Sequence, residues 1–203
     1  LALPTPPPRR PPSEVRGFTA RVVVTKGRGP GGVFDTTLGR HLRIARVETT
    51  GPIASYNSFA LEDFRIRADD FVVAPKGGNA SARELLLGIM AGGRMDLEIR
   101  RPNTFRAGPF DMAAGKLGLD LSMHQQSCSV YVKQVFDTGL VDKHNRNHHE
   151  RMVRSGDFII EVNGERGSAE VLAKMLGASG AWSGTIELTV SRPHEVGGFG
   201  GLC

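Results

Sequence analysis

The sequence predicts a mainly β fold with α: two small β-sandwich or barrel units in succession, each capped by helices. Three observations predict it. Four sequence blocks recur in the same order at a nearly constant offset. Short β-branched segments bounded by turn residues fill each copy, and each copy holds one main stretch of helical periodicity. Gly is abundant, at 26 of 203 residues, which makes turns frequent and strands short.

The repeat is read block by block. Asp70-Phe71-Val72-Val73 resembles Asp157-Phe158-Ile159-Ile160, 87 residues on. Ser81-Ala82 and Ser168-Ala169, each ahead of an apolar helix, share that offset. Val47-Glu48-Thr49-Thr50-Gly51-Pro52-Ile53 resembles Val135-Phe136-Asp137-Thr138-Gly139-Leu140-Val141 at 88. Met95 to Pro102 resembles Ile186 to Pro193 at 91, the growth being assigned to a small insertion at 178–183. The chain therefore divides into a Pro-rich arm (1–14), a first unit (15–102), a second unit (103–193) and a Gly-rich tail (194–203). Units of this length are just large enough to fold around a modest core. The tails bury too little apolar surface to order themselves.

In the first copy, strands are expected at 19–26, 42–47 and 71–73, the last ending at Pro75. Ser81 opens a helix that offers Leu85, Leu86, Ile89 and Met90 to a core. Met95, Leu97 and Ile99 line one face of a closing strand. In the second copy, 119–123 alternates apolar and polar, 130–135 is rich in β-branched residues, and 157–162 runs into the turn pair Asn163-Gly164. Ser168 is placed to cap a helix whose stripe is Val171, Leu172, Met175 and Leu176 and which Gly177 ends. A last strand runs over 185–190, with Pro193 stopping it.

The second copy resembles a PDZ domain over nearly its whole length. Gly115-Lys116-Leu117-Gly118-Leu119 is similar to that family's carboxylate-binding loop, and the strand from Leu119 follows directly. Gly139-Leu140-Val141 resembles the segment opening the family's short first helix. Arg154 to Gly164 is similar to the family's G-D-x-I-x-x-V-N-G signature, and the helix from Ser168 matches its long second helix. The resemblance implies that a peptide adds as an extra strand along Leu119, Asp120 and Leu121, its terminal carboxylate held by the amides of Leu117, Gly118 and Leu119. It also implies that Ser168, Ala169 and Leu172 on the helix set specificity. The His common at the start of that helix is absent. The first copy departs further: Gly31 to Thr36 stands at the loop with no apolar-Gly-apolar pattern, Asp35 would repel a carboxylate, and Pro75-Lys76-Gly77 replaces Val162-Asn163-Gly164.

Other chemistry is weighed against this. Net charge is +5, but the basic residues are scattered, densest at Arg9-Arg10 and Arg100-Arg101, without interleaved aromatics, which argues against nucleic-acid binding. Cys128 and Cys203 stand far apart, so neither a disulfide framework nor a zinc knuckle is read. No apolar run approaches the roughly 20 residues of a membrane span. His144, His148 and His149, with Asp142 and Glu150, are weak metal candidates in what reads as a polar loop between strands. No G-x-S-x-G elbow occurs, and the Gly-rich run 27–32 lacks a phosphate-loop ending and reads as a hairpin-like loop.

The expected function is a non-catalytic scaffold that holds peptide tails or neighbouring subunits, without cofactor. The alternative is a peripheral subunit of a large organellar membrane complex, photosynthetic or respiratory, for which the start at Leu1 suggests a removed targeting segment. A regulatory fragment of a PDZ-bearing protease is the third reading.

Overall fold

The computed structural model describes residues 15–36, 41–75, 78–123, 127–177 and 184–194. The Pro-rich arm, nearly all of the tail, Lys76-Gly77, Cys203, the middle of the polar segment 122–129 and the insertion assigned to 178–183 lie outside the described residues.

The first half contains β1 (Gly17–Val24), β2 (Gly32–Asp35), β3 (Leu42–Val47), α1 (Pro52–Phe59), β4 (Phe71–Val73), α2 (Ala82–Ala91) and β5 (Gly93–Arg100). The second contains β6 (Pro102–Asp111), β7 (Leu119–Ser122), β8 (Val130–Val135), α3 (Leu140–Asn147), β9 (Phe158–Val162), α4 (Ala169–Gly177) and β10 (Thr185–Pro193). Each half forms one antiparallel five-stranded sheet. Their orders, β1-β5-β4-β3-β2 and β6-β10-β9-β8-β7, are the same once each strand is exchanged for its copy. The fold is mainly β with α.

Local chemistry explains the elements. β1 alternates, with Ala20, Val22 and Val24 buried and Thr19, Arg21 and Val23 outside. Ser81 and Glu84 close a capping box at the start of α2. Pro193, expected to stop the last strand, lies within β10 opposite Pro102; β10 is three residues longer than its apolar stretch. β2, α1 and β6 carry no clear period: β2 has four residues, α1 buries only Ile53, and β6 is interrupted by Gly108-Pro109 at a bulge. The His-rich segment is not a loop. His144 lies in α3, and His149 opens the 3-10 turn His149–Arg151.

Side chains repeat as faithfully as strands do. Asp70 accepts from the Arg67 N–H (2.8 Å) and pairs with Arg101 (2.6 Å), whose guanidinium lies over Phe18. Asp157 accepts from the Arg154 N–H (2.7 Å) and pairs with Arg192 (2.7 Å), which lies over Phe105. Asn57 exchanges two hydrogen bonds with the backbone of Ile66, and Asn145 does the same with Val153. A buried aspartate and arginine thus tie the loop before the fourth strand of each unit to the end of its fifth. The block-by-block reading did not include the Phe and Asn members.

The two halves touch. β4 and β9 are apolar at every position but one because both of their faces are covered. Val72 and Ile159 face their own cores, whereas Phe71, Phe158 and Ile160 form a third cluster with Val73 and Tyr131. The Phe71 and Phe158 rings, at equivalent positions, lie 5.6 Å apart. Beside them Arg43, 2% exposed, pairs with Asp69, stands 3.8 Å from Asp35 and donates to Cys128 Sγ at 3.4 Å. Ser127 and Ser129 donate their hydroxyls to Asp35, and Arg166 reaches Asp69 at 3.0 Å. Asp35, expected to face the first groove, is buried against the second unit instead.

Two outcomes follow from this packing. Phe71→Ala removes half of the aromatic contact between the units, at a cost of about 3–5 kcal/mol. Urea unfolding of the parent is expected to be one transition, and of the variant two, read by near-ultraviolet circular dichroism. Burial pushes the Asp157 carboxyl up to about 6 against the attraction of Arg192. The folded chain then holds that proton more tightly than the unfolded chain. The resulting stability is full below about pH 4 and is lost as pH rises through 6, on the order of 3 kcal/mol. Asp157→Asn should flatten the stability profile between pH 4 and 6.

Candidate functional site

β7 is an edge strand, hydrogen-bonded only to β8, and its four residues are half-buried. The loop that enters it is tied down by its carbonyls. Leu140 N–H donates to Lys116 O (3.0 Å), Val141 N–H to Leu117 O (3.0 Å) and Phe136 N–H to Gly118 O (2.8 Å). Three successive carbonyls therefore turn inward, two toward the start of α3 and the third toward the end of β8. Among the described residues no protein acceptor takes the N–H of Leu117 or Gly118. Successive amides left facing outward in this way make an anion-binding concavity.

Gly118 makes the turn possible. Its φ is +76°, and a Cβ there would stand 2.5 Å from Gly139 Cα. A Cβ on Gly139 would in turn stand 2.3 Å from Leu117 O. The two glycines let loop and helix start meet backbone to backbone.

A hollow of about 220 Å³ opens beside this loop, lined by Lys116, Leu117, Gly118, Leu119, Leu121, Phe136 and Leu176. Leu117 and Leu176 are nearly buried, and Lys116 stands exposed at the rim. Of the residues singled out from sequence, Leu117, Gly118, Leu119 and Leu121 come together here. Asp120 points elsewhere and pairs with Lys133 at 2.9 Å. Ser168 is exposed ahead of α4, its hydroxyl 3.4 Å from the Val171 N–H.

Ala169 and Leu172 require correction. Both are fully buried, Leu172 as part of the second unit's core. The Ala169 N–H donates to Ser127 O. The α4 residue that lines the hollow is Leu176, one turn on. The stripe of apolar residues had named it, but periodicity identifies a face and not the residue on it that meets a neighbouring strand. Phe136 was part of a repeat block, and its exposure (43%) was the missing signal.

The first unit repeats the loop with different chemistry. Glu48 N–H donates to Gly31 O and Ile53 N–H to Pro30 O, so Pro30-Gly31-Gly32 occupies the place of Leu117-Gly118-Leu119. The correspondence starts one residue earlier than the sequence blocks suggested. Gly31 has φ +85° and lies against Gly51 as Gly118 lies against Gly139. Pro30 has no N–H, so this loop lacks one of its donors.

The histidines do not gather as ligands. The rings of His144 and His148 stack at 4.3 Å, and His144 meets the edge of Phe110. Burial, then the neighbouring His148, hold the His144 imidazole below its ordinary value. Asp142 is paired with Arg146 at 2.7 Å. Among the described residues no three His, Cys, Asp or Glu side chains are grouped to hold a metal ion. Nor is any described helix long and apolar enough to cross a membrane.

No family model matches the chain, and no curated protein is similar to it. Among solved structures, INAD PDZ45 in complex with NG2 peptide shares 18% identity over 88% of this chain and 90% of that one, with a TM-score of 0.37. INAD PDZ45 with NORPA CC-PBM shares 17% over 88% and 92%, with a TM-score of 0.35. The molecule's own order of strands and helices, its edge strand and its glycine loop make each half PDZ-like in fold, and the two stand in tandem.

Proposed function

We propose that the chain is a non-catalytic interaction protein whose second unit takes the C-terminal segment of a partner protein. The segment adds to β7 as a sixth strand. Its carboxylate sits on the amides of Leu117, Gly118 and Leu119 with Lys116 beside it, and its last side chain enters the hollow between Leu121 and Leu176. One observation carries this reading: a strand edge begins where three successive carbonyls are bonded within the unit and, among the described residues, the N–H groups of Leu117 and Gly118 meet no protein acceptor. A hydrogen bond to a charged group contributes about 1.5–3 kcal/mol, so two or three of them with backbone pairing support micromolar affinity. The first unit, with Pro30 in its loop, is the weaker receptor.

Fluorescence anisotropy with labelled hexapeptides ending in Val tests it. The free acid is expected to bind in the micromolar range, and the same peptide with a C-terminal amide at least tenfold more weakly. Equal binding of acid and amide would remove the carboxylate from the account.

Gly118→Ala should abolish binding of the acid, because the added Cβ cannot coexist with Gly139 Cα. Its circular dichroism spectrum and urea midpoint, compared with the parent's, separate loss of the site from loss of the fold. A folded Gly118→Ala protein that still binds at parental affinity would place the ligand elsewhere.

A further inference from the structure

A second groove lies on the first unit, between α1 and β1. It encloses about 860 Å³. Four apolar side chains stand exposed along it: Val23 at 62%, Phe59 at 91%, Leu61 at 75% and Phe64 at 40%. Scattered apolar residues on a surface need no explanation, but four on one groove do.

The second unit supplies an internal control. The cores align Val22 with Phe110 and Val24 with Met112, so Val23 corresponds to Asp111. The ends of α1 and α3 align Phe59 with Asn147. The 3-10 turns that follow align Leu61 with His148 and Phe64 with Arg151. All four positions are polar and exposed in the copy. The same scaffold therefore does not need apolar residues there; Phe64 also meets the edge of the Phe18 ring at 5.7 Å, whereas Val23, Phe59 and Leu61 stand largely outside the fold.

Charge and backbone select the occupant. The charged residues on the groove are Arg21, which also pairs with Asp96, and Arg28; no carboxylate lines it. A second copy would bring the same arginines against these. The chain's own Pro-rich arm carries Arg9 and Arg10 and is disfavoured in the same way. Among the described strands β1 pairs with β5 alone, which leaves an edge for an extended chain. We propose that this groove binds an extended segment of a partner protein in which bulky apolar side chains alternate with carboxylates. This site is separate from the carboxylate loop and does not depend on it.

The probe is a labelled heptapeptide alternating Asp with Phe and Val, acetylated and amidated so that it presents no terminal carboxylate to the other groove. Anisotropy with the full chain should show saturable binding. Phe59→Asp, on a residue whose side chain supports no core, should weaken it at least tenfold, and Arg28→Glu at least threefold. Replacing Asp by Lys in the peptide should weaken it at least tenfold, and Gly118→Ala should leave it unchanged. Absence of saturable binding, or binding indifferent to Phe59→Asp or to the peptide's charge, overturns the proposal. So does a dimer in sedimentation velocity that Phe59→Asp abolishes, since a second copy would then fill the groove.

Discussion

The two-unit arrangement depends on the buried guanidinium of Arg43. A charge this deeply enclosed costs several kcal/mol unless it is paired and hydrogen-bonded. Its own unit supplies Asp69 and Asp35, and the second unit supplies Cys128 directly and Ser127 and Ser129 through Asp35. Neither unit alone satisfies this cluster. The apolar contact of Phe71 with Phe158 gives the interface its area, and the Arg43 cluster gives it a register.

That register reaches the hollow beside β7. Ser127 donates to Asp35 of the first unit and accepts from the Ala169 N–H at the start of α4. The same short segment leads into β8, the strand that holds β7. One wall of the second unit's groove and the support of the other are therefore anchored on the first unit. The corresponding edge of the first unit has no such freedom, because Asp35 ends β2 inside the interface. The two units contribute unequally: the edge strand and open loop belong to the second, and part of their support belongs to the first.

Much of this was legible in the sequence. The strands at 42–47, 71–73 and 130–135, the cap at Ser81 and the loop at Gly118 have strong local signals, because each depends on a few neighbouring residues. What escaped depends on distant ones. The start of α3 at Leu140-Val141 is read as opening a helix, but its His-rich part reads as a polar loop because only Val141 and Asn145 of its residues are buried. The inter-unit face was present as the unbroken apolar runs Phe71-Val72-Val73 and Phe158-Ile159-Ile160, but a short apolar run does not say what covers its second face. The choice of Leu176 over Ala169 and Leu172 depends on how α4 is turned against β7, which periodicity leaves open.

A tandem repeat separates what holds a fold from what uses it. Where the copies agree, the residue serves the scaffold: Asp70 and Asp157, Arg101 and Arg192, Asn57 and Asn145, Gly31 and Gly118 all make the same bonds twice. Where they differ at equal geometry, the scaffold has no stake in the difference. Pro30 against Leu117 changes a donor without moving the loop, and Phe59 against Asn147 changes the surface without moving the helix. The two loops and the two helix ends are built alike, so the chemistry that distinguishes them is not set by the backbone geometry they share. By that measure the second unit's loop has an N–H at Leu117 where the first unit's loop has Pro30. The first unit lacks that donor and carries exposed apolar side chains between α1 and β1.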